Sequence, residues 1–394
     1  MDEVGGDLPD DKINYLPGIP AVIAYNKDGT KTAIFGAGSE RDSIESMNFE
    51  LVETGCGKVE ITFRKLPTNA ELNYRQRIDI HLFNDSRPWW SGYIITRPIT
   101  GTSDTNAYKF TGHGYYNLLD KVLIFKTYEN VEVSNIVVDI ARQVENKVGL
   151  TFNGNKIINT SYVISKIEFD GVTAKEALKQ LTDFAIDYVY GVDEYRQLYF
   201  MPRNNEINEQ ARFWVGMHIG PYSPSWDVDK IVNRAYIKGG NVNEEGEQWL
   251  GMVEDTDSQE EYGIQEAVWS LPSAYSTDDA KRWGQNQIEK YKEPVKSAKV
   301  QAVKLEYPKP DGSFFVRKLS TQGQAAITDM EGNRHDYPIT KLKYTISGKD
   351  GIKLDMELGE QPFAVDKYFA NLDRDAKMAE LLQQAATKQL KTGG

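Results

Sequence analysis

The chain has 394 residues, 40% hydrophobic and 26% charged, and its 46 basic against 58 acidic side chains leave a formal net charge of −12. That length allows two to four domains of ~150 residues each, and the single cysteine, Cys56, excludes a disulfide scaffold. The charge argues against a sequence-independent grip on nucleic acid, which is electrostatic and needs clustered Lys and Arg, though not against DNA passing by.

The opening MDEVGGDLPDD has no apolar stretch of the signal-peptide kind, and no segment approaches the ~20 apolar residues of a membrane span. A soluble chain made in a cytosol is expected. Residues 1–125 read as a β domain. Asp28-Gly29 marks a hairpin turn, and alternation follows at Val59, Ile61 and Phe63 and at Ile78, Ile80 and Leu82. The stretch RPWWSGYIIT then sets Trp89 and Trp90 side by side ahead of Gly92. Neighbouring strand residues point to opposite faces, so one tryptophan can enter a single-sided core while the other needs a second layer, a partner or water. Glycine in a strand often marks a bulge or a close backbone approach. An apolar cluster follows at Leu118, Leu119, Val122 and Leu123.

Residues 126–205 change character to a small α/β domain. Ile136, Val137, Ile140 and Val144 form one helical stripe behind a Ser134 cap. Thr173 and Glu176 have capping-box spacing ahead of Ala174, Ala177, Leu178, Leu181, Ala185 and Tyr188. A hairpin turning near Asp193-Glu194 closes the domain.

Residues 206–361 read as a second β domain interrupted at about 241–294 by an acidic, partly helical insertion. Its helix runs from about Ser276 to Tyr291 and carries Ala280, Trp283, Ile288 and Tyr291. Asp311-Gly312 and Asp350-Gly351 mark turns, and alternation returns at Leu342, Tyr344 and Ile346 and at Ile352, Leu354, Met356 and Leu358. Residues 20–120 are thus expected to form one barrel, and 228–240 with 295–360 a second of the same topology. The tail, 362–394, has helical spacing that suits either a coiled-coil seam or a plain amphipathic helix. The expected fold class is α+β, mainly antiparallel β, with two tube-like barrels, the α/β domain between them and the helical insertion.

No constellation in the sequence carries a reaction. His81, His113, His218 and His335 are scattered and lack metal-ligand spacing. The segment around Cys56 lacks the glycine and the hydroxyl residue of a phosphate loop, and FGAGSERD lacks the third glycine of a dinucleotide fingerprint. The acids Glu254, Asp255, Asp257, Glu260 and Glu261 lack the register of a calcium loop. A structural or binding protein without enzyme activity, cofactor or metal is expected. A carbohydrate-binding or adhesin-like β protein, using exposed Trp and Tyr as sugar platforms, is the alternative, and a hydrolase with an unrecognised carboxylate pair comes third.

The order of elements carries a resemblance. A strand with Trp90, Gly92 and Ile94 precedes an aromatic-Leu-Leu element at Tyr116, Leu118 and Leu119. YRQLYFMP, VNRAYIKGG, SQEEYGIQEAVW and GIKLDMELGEQP follow in turn. Over roughly residues 15–362 this resembles the late control protein D-like baseplate hub and tail-tip hub proteins of bacteriophages. The resemblance implies a homotrimer whose six barrels match a sixfold tail tube above and a threefold spike or central fibre below. The implied partners are other copies of the chain, the tail tube or distal tail protein, the spike or fibre, and the tape measure protein. DNA would be passing cargo only, through a lumen expected to be net acidic. The implied place is the tail tip or baseplate of a virion assembled in the host cytoplasm, with wall digestion left to another protein. Trp89, Trp90, Gly92, Tyr116 and Trp283 are the candidate packing or interface residues.

Overall fold

The computed structural model describes residues 20–36, 44–83, 85–98, 108–241, 248–271, 276–308, 314–347 and 351–359. The expected Asp311-Gly312 turn, the tail 362–394 and the N-terminal segment lie outside them.

The first block comprises strands β1 (Ala21–Tyr25), β2 (Lys31–Gly36), β3 (Ile44–Val52), β4 (Gly55–Phe63), β5 (Arg77–His81), β6 (Trp90–Thr96) and β7 (Tyr108–Gly114). The predicted alternation is realised: Val59, Ile61 and Phe63 of β4 are buried between more exposed neighbours. β5 departs from it, because Asp79 and His81 are buried together with Ile78 and Ile80. A second layer covers the face that was expected to meet solvent. Asp79 there accepts hydrogen bonds from Arg77 and from the Ser91 hydroxyl, which also reaches Tyr115.

A 3-10 helix (Tyr115–Lys121) leads into the middle domain: β8 (Leu123–Glu132), α1 (Val133–Val148), β9 (Thr151–Ile157), β10 (Val163–Thr173), α2 (Ala174–Phe184), β11 (Tyr188–Val192) and β12 (Gln197–Pro202). The α1 stripe is buried as expected, and Thr173 caps α2 through the Glu176 amide. The α1 cap is Glu132 and not Ser134. The Glu132 carboxylate accepts from the Asn135 amide, the Ser134 hydroxyl and the Thr160 amide and hydroxyl. A carboxylate with four donors at a positive helix end outcompetes a lone hydroxyl.

The third block contains β13 (Ile207–Trp214), β14 (Tyr222–Asp227), β15 (Arg234–Asn241), β16 (Gln248–Glu254), α3 (Thr256–Tyr262), β17 (Glu266–Leu271), α4 (Thr277–Tyr291), β18 (Val295–Val303), β19 (Glu306–Pro308), β20 (Phe314–Val316), β21 (Gln324–Thr328), β22 (Arg334–Ser347) and β23 (Gly351–Gly359). Two expectations are corrected here. β15, expected in the second barrel, pairs instead with β16 and β17 and packs on α4, so the inserted module begins earlier than residue 241. Nor do the two β blocks form separate sheets. β22 pairs antiparallel with β3 from Lys341↔Val52 to Ser347↔Ser46, giving one continuous path β14-β18-β23-β22-β3-β4-β7-β6-β5-β1-β2. One apolar core spans both blocks, from Val22 and Phe63 to Leu342 and Leu358. The middle domain has its own core and joins the large sheet where Val192 pairs with Gly55. A side chain at Gly55 would collide with the Val192 carbonyl, and its φ of +116° lies in glycine territory.

Candidate assembly surfaces

The five candidate residues lie at seams inside the chain and do not form one site. Trp90 is fully buried, and its indole lies over Gly92 two residues on, where any Cβ would also strike the His113 carbonyl. Trp89 is 4% exposed and meets Phe83 at 5.5 Å and Tyr344 of β22 at 5.6 Å, the latter edge-on at 84°. Both tryptophans are therefore buried without a neighbouring subunit, because the second block supplies the second layer. Lys318 reinforces that seam, pairing with Asp85 at 2.8 Å while its ammonium sits 5.4 Å from the Trp89 ring.

Tyr116 joins the 3-10 helix to the middle domain: its hydroxyl is 3.0 Å from that of Tyr190, and Lys175 lies over its ring. Trp283 of α4 packs edge-on against Trp269 and against the middle core. Beside it, Asp279 carries a buried carboxylate that the sequence reading did not single out. It accepts from Tyr162 Oη at 2.5 Å, from the Ser165 amide at 3.1 Å and from the Ser165 hydroxyl. Arg282 donates to the Phe184 carbonyl at 2.8 Å, and Asn286 donates to that of Asp183 at 2.9 Å. These bonds fix the inserted module to the middle domain.

Other apolar groups face outward. Trp214 and Trp226 are 57% and 58% exposed, with Met217 and Met330 more so. Trp214 pairs with Thr328, and the Trp226 ring lies 6.1 Å from that of His335, so both flank the hairpin of β21 and β22 whose turn carries Met330. Strand alternation alone could not distinguish these tryptophans from core residues. β14, at one end of the long sheet, carries Pro224, a residue that blunts an open edge.

Along the seam the sheet's solvent face is charge-mixed. Lys58 and Lys109 both pair with Glu60 at 2.8 Å, and Lys341 pairs with Glu50 at 2.9 Å. These cations hold the Glu60 carboxyl down to about 2, through hydrogen bonds from Lys109 and then Lys58.

Among the described residues no three His, Cys, Asp or Glu side chains converge to hold a metal. The acids near 254–261 serve local structure: Asp255 caps α3, and Glu254 pairs with Arg234 at 2.9 Å. Burial pushes the Cys56 thiol up, well above the range in which it ionises readily. No described helix is long and apolar enough to cross a membrane.

No protein-family model and no curated protein matches the sequence. Solved structures do match. A 43 kDa tail protein of prophage MuSo2 from Shewanella oneidensis aligns over 86% of this chain and 97% of its own, with a TM-score of 0.59 at 12% identity. The fold is that of phage tail proteins. A tail protein from Neisseria meningitidis MC58 gives a TM-score of 0.59 at 10% identity, over 87% of this chain and 96% of that one. Prophage tail protein gp18 from Listeria monocytogenes EGD-e gives 0.58 at 12% identity, over 91% and 99%. The phage tail fold thus accounts for nearly the full length of these structures, and for the mainly antiparallel β class read from the sequence.

Proposed function

We propose that this chain is the structural hub of a phage tail tip or baseplate. Three copies would form a ring between a sixfold tail tube or distal tail protein and a threefold spike or central fibre, with the tape measure protein as a further partner and DNA as passing cargo. The observation that carries the reading is the continuous sheet: the β3–β22 seam joins two β blocks over one apolar core, so that each copy would offer two wall segments and three copies six. The near end-to-end likeness to phage tail proteins agrees with it. The buried state of Trp89 and Trp90 shifts the subunit contacts away from them and toward exposed groups such as Trp214 and Trp226.

Native mass spectrometry together with negative-stain imaging tests this. A species of three chains with a central opening is expected; a monomer at all concentrations, with no ring on assembled tails, would overturn it. The exposed Trp214 and Trp226 also favour a second reading as sugar platforms of a carbohydrate-binding or adhesin-like protein. Glycan-array binding lost in Trp214→Ala or Trp226→Ala, combined with a monomeric mass, would replace the hub reading by that one.

A further inference from the structure

One recess stands apart from these assembly surfaces. It lies between the first block and the hairpin of β11 and β12, has a volume of about 440 Å³, and is lined by Lys27, Arg75, Arg77 and Arg196 with no Asp or Glu. In a chain with a net charge of −12 this is a local reversal of sign. Its size falls within the range of ~300–1,000 Å³ typical of ligand pockets.

The cations are not equally available. Arg77 is committed to the buried Asp79, with its Nε at 3.1 Å and a terminal nitrogen at 2.5 Å, and its guanidinium also sits 4.5 Å from the Tyr25 ring. Lys27, Arg75 and Arg196 pair with no carboxylate among the described residues. Arg196 donates to the Gly149 carbonyl at 2.7 Å and lies over the Tyr115 ring, while its buried Nε has no hydrogen-bond partner. A buried guanidinium N–H left unpaired is costly unless something accepts from it.

The backbone points the same way. Arg75 and Arg196 both hold positive φ, 56° and 67°. Arg196 closes a turn in which its amide donates to Asp193 and the Asp193 amide donates to Gln197. That left-handed position normally goes to glycine or asparagine, and a bulkier residue there is strained. Two arginines hold such seats and both line one recess.

We propose that this recess binds an acidic peptide segment of a partner protein, its carboxylates meeting Arg196, Arg75 and Lys27 and its flanking groups resting on the exposed ring of Tyr74. A nucleic-acid backbone fits less well, because it needs an extended cationic track. Here the three cations without a carboxylate partner sit together in one recess and form no such track.

The test is fluorescence anisotropy with the full chain and fluorescein-labelled hexaglutamate at low salt. Binding that weakens as salt rises is expected, and it should fall at least tenfold in the double variant Arg75→Gly, Arg196→Gly and clearly in Lys27→Glu. Glycine suits both left-handed positions, so the double variant should keep cooperative melting, and Lys27→Glu, on an exposed turn, guards against a folding artefact in it. Absence of peptide binding, equal affinity in wild type and all variants, or tighter binding of a six-nucleotide oligothymidylate would overturn the proposal. Subunit mass is measured separately, so failure here leaves the hub reading untouched, and the converse also holds.

Discussion

Tyr344 of β22 stacks on Phe49 of β3, with ring centroids 4.8 Å apart and planes 18° from parallel, and Trp89 meets the edge of the same ring. Phe49 and Tyr344 face each other directly in the strand register, so the stack is the side-chain counterpart of the seam that unites the two β blocks. Tyr344→Ala should therefore destabilise the fold by ~3–5 kcal/mol, the usual cost of truncating a buried aromatic residue. In a double-mutant cycle with Trp89→Ala, denaturant unfolding should show a coupling of about 0.5–1.5 kcal/mol. Strict additivity would mean that the two rings do not share one packing unit.

Asp279 makes a second prediction, about the inserted module. Replacing it with alanine leaves the Ser165 amide and the Tyr162 hydroxyl without their acceptor, a loss of ~1–3 kcal/mol per unsatisfied buried group. Amide exchange in β15 to β17 and α4 should accelerate while that of β4 and β22 stays unchanged, since local openings follow local contacts. Uniform acceleration across the chain would show that the module is not held separately.

The charge pairs on the sheet face predict a pH response. The Glu60 carboxyl is lowered from an ordinary 4.5 to about 2 by hydrogen bonds from Lys109 and Lys58. A depressed carboxyl binds its proton less readily when folded than when unfolded. Its stabilisation is thus complete above about 4.5 and is lost as pH falls toward 2. Glu60→Gln should flatten the acid limb of a stability-against-pH curve over that window and leave the curve near neutrality with the same slope. An unchanged acid limb would refute the assignment.

What was legible in the sequence was periodic. The alternation at Val59–Phe63 and Leu342–Ile346 and the α1 stripe follow from one-sided burial, which a local pattern records directly. The burial of both Trp89 and Trp90 is not readable locally, because the partner Tyr344 lies far along the chain and no local pattern names it. Strand periodicity likewise says that Arg234–Asn241 is extended but not which strands it joins, so the pairing of β15 with β16 and β17 is not readable from it. Ser134 lost its cap role to Glu132 through Thr160, a contact made only once β10 packs against β8. The buried acids Asp79 and Asp279 look like surface charges until their donors arrive from other elements. Arg196 looks like an ordinary turn residue until its φ is known.

Across the seam, Lys58, Lys109, Lys341, Lys343 and Lys353 alternate with Glu50, Glu60, Asp355 and Glu357 on the side of the sheet away from the core. If this face lines the channel of the proposed ring, the wall is balanced and not net acidic, which changes the sequence-based expectation of a repulsive lumen. A balanced wall still avoids trapping a duplex, because Lys58, Lys109 and Lys341 are already engaged by Glu60 and Glu50, and a phosphate would have to displace a carboxylate before it released any counterion. Duplex DNA should therefore show no measurable binding to the purified protein at physiological salt, where charges further than ~8 Å from the strand are screened. The double reversal Glu50→Lys, Glu60→Lys removes both carboxylates and frees three lysines on the same face. It should create DNA binding that falls steeply as salt rises, with the effect multiplied by the number of copies in the ring. Binding by the unmodified protein, or none by the reversed one when it is folded and assembled, would show that this face does not meet the genome.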